Sequence, residues 1–452
     1  MRIVSVGLIC LSLLLSACGG GGGSAVTTSA GGSSGSGGGS GTGGSGSTAY
    51  NVTNAIVDQG PAALKTAGLV ATNILYVKVT LCAPGSTTNC QTIDHIQVDT
   101  GSQGVRILSS AITNASLLNA LQPVAAGSGA LAECVEFVDG YSWGPVVTAD
   151  LHVGGSDTAT SGESAPGIPV QIIGTTTYPV PSDCSSNAVN TTAENTVADF
   201  GANGIIGIGL FDEDCGTGCV SGTGVLGVEN GNGYFSCTNT SCAETYVPVA
   251  NQLINPVHAL AAVNGVTDNN GVIIELPSLG SSGAAATASG SLIFGIGTQS
   301  NNALAPAATV LTTDSFYGFI TTDVASLGQT DTTSYLDSGS NALFFNDSNI
   351  TDCSQSSNAP DFFCPASTAP LSATINGVNA QQAAVNFSVA NANTLFTSEN
   401  SFAAFSNLAG PAGTAEGSSV FAWGLPFYYG RNVYTAMEHM DAGGTMGPYY
   451  AF

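Results

Sequence analysis

The tetrapeptide Asp-(Thr/Ser)-Gly-Ser occurs twice, as Asp99-Thr100-Gly101-Ser102 and as Asp337-Ser338-Gly339-Ser340, 238 residues apart. Each copy ends a run that reads as a buried strand, Ile96-Gln97-Val98 in one case and Tyr335-Leu336 in the other, and a further apolar run follows each. One such turn would be ordinary, since Asp, Ser and Gly are favoured turn residues. Two are not, because this composition yields only about 0.1 chance matches over the whole chain. A second pair of signals, Ile205-Ile206-Gly207 and Ala422-Trp423-Gly424, lies 106 and 85 residues beyond the glycines of the two motifs. A duplicated unit is the economical explanation. Whatever the chain folds into must therefore carry an acid at the end of an apolar strand in each of two related halves.

The rest of the body reads as mainly β. Short runs rich in β-branched and aromatic residues recur between Gly, Asn, Ser and Pro clusters, as in residues 73–81, 92–98, 271–276 and 290–296. The first two flank Cys82 and Cys90, which predicts a hairpin clasped by a disulfide. Short helices are expected near residues 252–261 and after Arg431.

Residues 1–17 have one Arg, an apolar run of signal-peptide length and a Leu-Ser-Ala ending before Cys18. This resembles bacterial lipoprotein signals, which implies cleavage before Cys18, its lipidation, and, with Gly19 next, sorting to the outer membrane. Residues 18–50 follow as the lipidated cysteine and a Gly/Ser linker that cannot bury enough surface to fold, with a root-mean-square reach of roughly 30 Å. No later run is long enough to span a bilayer. About 400 residues then remain, enough for one large or two medium domains. With five Lys and Arg against 30 Asp and Glu, and a net charge of −25, nothing here could neutralise phosphates, so nucleic acid and anionic headgroups are not expected as partners.

Discounting Cys10 and Cys18 leaves ten cysteines, an even number in an exported chain. Proximity suggests Cys82 with Cys90, Cys215 with Cys219, Cys237 with Cys242 and Cys353 with Cys364, leaving Cys134 with Cys184. Cys215, Cys219, Cys237 and Cys242 could alternatively hold zinc, a reading that an oxidising compartment disfavours. His95, His152, His258 and His439 show no ligand spacing, and no metal or cofactor is expected.

With these motifs the chain resembles the pepsin-like aspartic proteases over about residues 70–440. Residues 202–210 resemble the segment closing the first lobe's active-site sheet, 289–298 the run opening the second lobe, and 421–438, with Gly424, Phe427, Arg431 and Tyr434, the family's segment near the C-terminus. A bacterial family of uncharacterised lipoproteins with two such motifs is a further resemblance. The likeness implies a bilobal double-psi β fold, with lobes at 51–286 and 287–452 and a cleft between them. It implies that Asp99 and Asp337 are the catalytic dyad. Thr100 and Ser338 would lock the loops, Ser102 and Ser340 would bond the outer carboxylate oxygens, and Gly101 and Gly339 would supply backbone freedom. The hairpin expected in residues 133–155 resembles the flap that covers the cleft, with Tyr141 as its candidate Tyr and Trp143 second.

Departures are visible. Arg106 stands where the family usually has a Trp that supports the flap Tyr, Leu425 and Pro426 replace the usual acid and its neighbour, and residues 19–50 lack the basic leader that silences such zymogens. Asp212, Glu213 and Asp214 read as a solvated face. The expected function is a lipid-anchored, monomeric aspartic endopeptidase of the cell envelope acting on polypeptide, its membrane contact made through the lipid only. A catalytically silent pepsin-like module that binds a peptide, glycan or protein is the alternative. A surface lipoprotein without shared acid chemistry is a third reading, and it requires Asp99 and Asp337 to lie far apart.

Overall fold

A computed structural model describes residues 2–4, 49–137, 140–155, 161–185, 192–220, 233–398, 401–412 and 419–452. The signal segment, Cys18 and the linker thus lie outside the described residues, apart from 2–4 and 49–50. The fold is mainly β. Most strands between Val52 and Ala451 belong to one closed sheet system, and a separate seven-stranded sheet is built from segments between Ile320 and Trp423.

The duplication read from the motifs is present as topology. The strand Cys90–Asp99 runs into the first turn, and Gln103–Leu108 leaves it. The strand Gly204–Ile208 inserts between them, parallel to the first with Gly207 opposite Asp99, and antiparallel to the second with Ile206 opposite Val105. In the seven-stranded sheet Gln329–Leu336 runs into the second turn, Leu343–Phe345 leaves it, and Val420–Trp423 inserts between them. Trp423 there pairs with Leu336 in parallel and Leu343 in antiparallel sense. Counting from each Asp, the register is the same in both. An outer strand repeats as well, Val170 lying parallel to Val105 and Ala409 parallel to Leu343.

This arrangement explains the apolar strands before each acid. Ile96 through Asp99 are all buried because strands flank them on both sides and the core packs on both faces. Phe421 and Trp423 stack with ring centroids 4.2 Å apart, and Phe387 meets Trp423 edge-on at 5.3 Å. These rings seal the sheet beneath the second turn.

Six antiparallel strands join the two ends of the body. Val52–Val57 pairs with Ala288–Phe294, which pairs with Gly271–Glu275, then Asn432–Ala436, Tyr449–Ala451 and Val310–Thr312. The boundary expected at residue 286 therefore falls next to a strand whose two neighbours come from the first part of the chain.

The helix expected after Arg431 is instead the strand Asn432–Ala436, because Val433, Tyr434 and Thr435 are strand formers with a partner on each side. No helix forms over 252–261 either: Pro256 interrupts the pattern, and the Asn255 side chain bonds Gly209 O and Phe211 O. The four disulfides expected from proximity and the remaining Cys134–Cys184 pair are all formed, which leaves no sulfur for the zinc alternative among these ten cysteines. Such bonds belong to an oxidising, extracytoplasmic compartment. Among the described residues no helix is long and apolar enough to cross a membrane.

Candidate active site

The two Asp turns meet head to head. Thr100 N donates to Ser338 Oγ at 3.2 Å, and Ser338 N donates to Thr100 Oγ1 at 3.0 Å. Each hydroxyl also reaches across to the strand before the opposite turn, Ser338 Oγ donating to Val98 O at 2.8 Å and Thr100 Oγ1 to Leu336 O at 3.3 Å. The exchange is reciprocal because the two turns have the same register on equivalent strands. All of these groups are buried, so each bond satisfies a polar atom that water cannot reach.

The interlock brings Asp99 and Asp337 into hydrogen-bonding contact with one another. The third reading, which needed these acids apart, is thereby overturned. Within each turn the glycine N–H donates to the inner carboxylate oxygen, Gly101 N to Asp99 Oδ1 and Gly339 N to Asp337 Oδ1, both at 2.7 Å. The serine hydroxyl binds the outer oxygen, Ser340 Oγ to Asp337 Oδ2 at 2.6 Å and Ser102 Oγ to Asp99 Oδ2. The glycines are required by space. A Cβ on Gly101 would stand 2.8 Å from Asp337 Cγ, and one on Gly339 would stand 2.6 Å from Asp99 Oδ1.

Asp99 is 1 % and Asp337 0 % exposed, and this burial is the largest influence on both acids, pushing each upward. The two then separate. The Asp337 carboxyl is driven well above the usual carboxylate range, since the Asp99 charge adds to its desolvation. Asp99 rises less, because its bonds to Asp337, Ser102 and Gly101 and the nearby Arg106 guanidinium favour its charged form. One proton shared by the pair is the state this environment selects.

Several supporting residues other than Arg106 carried no signal in the sequence. Tyr428 OH lies 3.0 Å from Thr100 Oγ1, and Gln97 Nε2 donates to Gly339 O at 3.0 Å. Asn73 Nδ2 donates to Asn341 O at 2.9 Å, just beyond the second turn. Arg106 is 1 % exposed and pairs with Glu133 at 2.7 Å and Asp214 at 3.4 Å. Tyr234 OH donates to the same Asp214 carboxylate at 2.7 Å. The reading of Asp214 as part of a solvated face is thus incorrect: it lies against a buried cation, and burial followed by the Glu133 charge pushes its carboxyl well up. Asp212 and Glu213 are half-buried too, and Asp212 comes together with Glu438 and His439, their ligand atoms within 4.8 Å of one another.

Glu133 belongs to the strand Gly129–Glu136, which forms a hairpin with Tyr141–Val153. Arg106 therefore ties that hairpin to the strand leaving the Asp99 turn. Tyr141 is 8 % exposed and packs with Trp143, Cys184 and Phe235, while its backbone bonds Thr192 and Glu194. Residues 138–139 lie outside the described residues.

Fold and site together define a mainly β, disulfide-bonded protein in which two interlocked Asp-(Thr/Ser)-Gly-Ser turns bury one hydrogen-bonded carboxyl pair. The chain belongs to the family described as "Protein of unknown function (DUF3443)", which matches residues 47–452. A search of curated proteins finds no match.

Proposed function

We propose that the protein is an aspartic-type endopeptidase with a pepsin-like bilobal fold, carried on a lipidated Cys18 in the cell envelope. The observation that carries this reading is the buried, hydrogen-bonded Asp99–Asp337 pair, each carboxylate held by the same glycine N–H and serine hydroxyl. The same sequence motif in the same register on equivalent strands supports a two-lobed origin for the pair.

The chemistry follows from the division of the proton. Asp99, charged, accepts a proton from a water molecule held between the carboxyls, and the hydroxide adds to the carbonyl carbon of a bound peptide. Asp337, neutral, passes its proton to the carbonyl oxygen, giving a tetrahedral diol. Asp99 then gives its proton to the peptide nitrogen, and the C–N bond breaks. As it does, Asp337 recovers a proton from a diol hydroxyl, so the pair ends with one proton, as it began. No step requires a covalent intermediate or a metal. The interlocked turns fix the carboxyls before substrate arrives, so that little reorganisation accompanies the reaction.

The catalytically silent binding module is favoured by the near-complete burial of both acids and by Arg106 at the position where pepsin-like proteases have a flap-supporting Trp. Digestion of an unfolded protein or a peptide library separates the two. Wild type should cleave between acidic and neutral pH, and Asp99→Asn or Asp337→Asn should reduce the rate by about 10³-fold or more with the fold intact. Wild type that cuts nothing across that range, while retaining a partner in a pull-down with the doubly substituted protein, would establish the binding module instead.

A further inference from the structure

A second pair of buried acids lies apart from the Asp99–Asp337 site. Glu163 opens the strand Glu163–Ile173, and Asp268 precedes the strand Gly271–Glu275; both residues are 0 % exposed. Their side chains are within hydrogen-bonding reach of one another. Asp268 is well supplied, its two oxygens accepting from Thr298 Oγ1 and Gln299 Nε2. Glu163 is not: among the described residues neither of its carboxylate oxygens has a hydrogen-bond donor.

A fully buried carboxylate with both oxygens bare is among the costliest arrangements a fold can contain, and a second carboxylate beside it adds repulsion. The backbone also packs closely against Asp268. Gly295 adopts φ +82°, and a Cβ there would stand 2.6 Å from Asp268 Oδ1 and 2.8 Å from Asn302 Nδ2. The surrounding donors are oxygens or amides, Thr298, Gln299 and Asn302, and Asn302 Nδ2 holds the Thr298 hydroxyl at 2.7 Å.

We propose that Glu163 and Asp268 bind a calcium ion, with the Thr298 hydroxyl and the Gln299 amide completing its protein ligands. The set is all oxygen and mixes two carboxylates with neutral groups on three separate segments, which suits the adaptable coordination of Ca²⁺ better than the strict octahedron of Mg²⁺. It contains no imidazole or thiolate to select zinc or copper. Amide orientation follows the hydrogen-bond network, and half a turn about the Gln299 amide replaces its Nε2 with Oε1. The ion neutralises both charges and draws together the start of the 163–173 strand, the 268 loop and the 295–302 turn.

The test uses the whole mature protein, stripped with a chelator and melted at fixed pH and ionic strength with Ca²⁺, Mg²⁺ or neither. Ca²⁺ at about a hundred times its dissociation constant is expected to raise Tm by about 3 °C or more, with one ion bound per chain in equilibrium dialysis. Glu163→Gln, nearly isosteric and one charge lighter, should fold and lose both the shift and the bound ion. Glu438→Gln, in the Asp212, Glu438 and His439 cluster, should keep them. The proposal is overturned by an equal response to Mg²⁺, by a Ca²⁺ response lost in Glu438→Gln and retained in Glu163→Gln, or by stabilisation on acidification with none from Ca²⁺. The last would show that a shared proton occupies the pair.

Discussion

Asp99 and Asp337 begin as identical side chains in near-identical turns and are separated by what surrounds them. Asp337 is raised well above the ordinary range by burial and by its neighbour's charge, whereas Arg106 and the Ser102 and Gly101 donors restrain Asp99. The linkage has a definite sign. A carboxyl whose folded pKa exceeds its unfolded value contributes stability that is complete below the unfolded pKa and is lost as pH rises through the folded one. Asp337→Asn removes that loss. Urea midpoints measured from about pH 4 to pH 8 should therefore show the variant gaining on wild type as pH rises. A difference that stays flat across this window would mean that Asp337 is ionised throughout. Arg106 was recognisable in the sequence only as a departure from a resemblance. Its partners Glu133 and Asp214 lie 27 and 108 residues away, and no local spacing marks contacts of that length.

At the scale of elements the interlocked turns are the critical unit, and they depend on backbones that approach without side chains between them. Gly339 lies against the Asp99 carboxylate, so Gly339→Ala must push the turns apart or twist one of them. The expected cost is about 1–3 kcal/mol of stability, as for other overpacked sites, together with loss of hydrolysis. Chemical denaturation and the peptide digestion measure the two effects separately, and a variant with unchanged stability and rate would show that the turns do not meet as described. Elements with strong local signals were legible in the sequence, among them the strand before each acid, the Cys82–Cys90 hairpin and the hairpin containing Tyr141. The expected helix after Arg431 was not formed, because a strand flanked on both sides is stabilised by partners more than 100 residues away or beyond the next turn, and helix propensity is a weak prior against that.

Over the whole molecule, stability rests on sheets that join distant parts of the chain and on five disulfides. Cys134–Cys184 closes a 50-residue interval, whereas Cys215–Cys219 spans only 4. Loop-closure entropy then assigns about 4 kcal/mol to the first and about 2 kcal/mol to the second. Replacing both cysteines of each pair by Ala should lower the urea midpoint more for Cys134–Cys184, and the reverse order would show that native strain outweighs chain entropy in this protein.

The amino-acid sequence by itself determined that the chain is mainly β, that it is exported and disulfide-bonded, and that two equivalent acids end two equivalent strands. Those properties are written in short-range pattern: alternation, turn residues, cysteine proximity and a repeated tetrapeptide. Only the tertiary structure decided that the two acids touch, that burial raises both, and that Tyr428 and Gln97 brace the turns that carry them. It also decided that Glu163 and Asp268 are shut away together. Desolvation and charge coupling depend on which groups are brought within a few ångströms across hundreds of residues, and that is settled by packing rather than by local sequence.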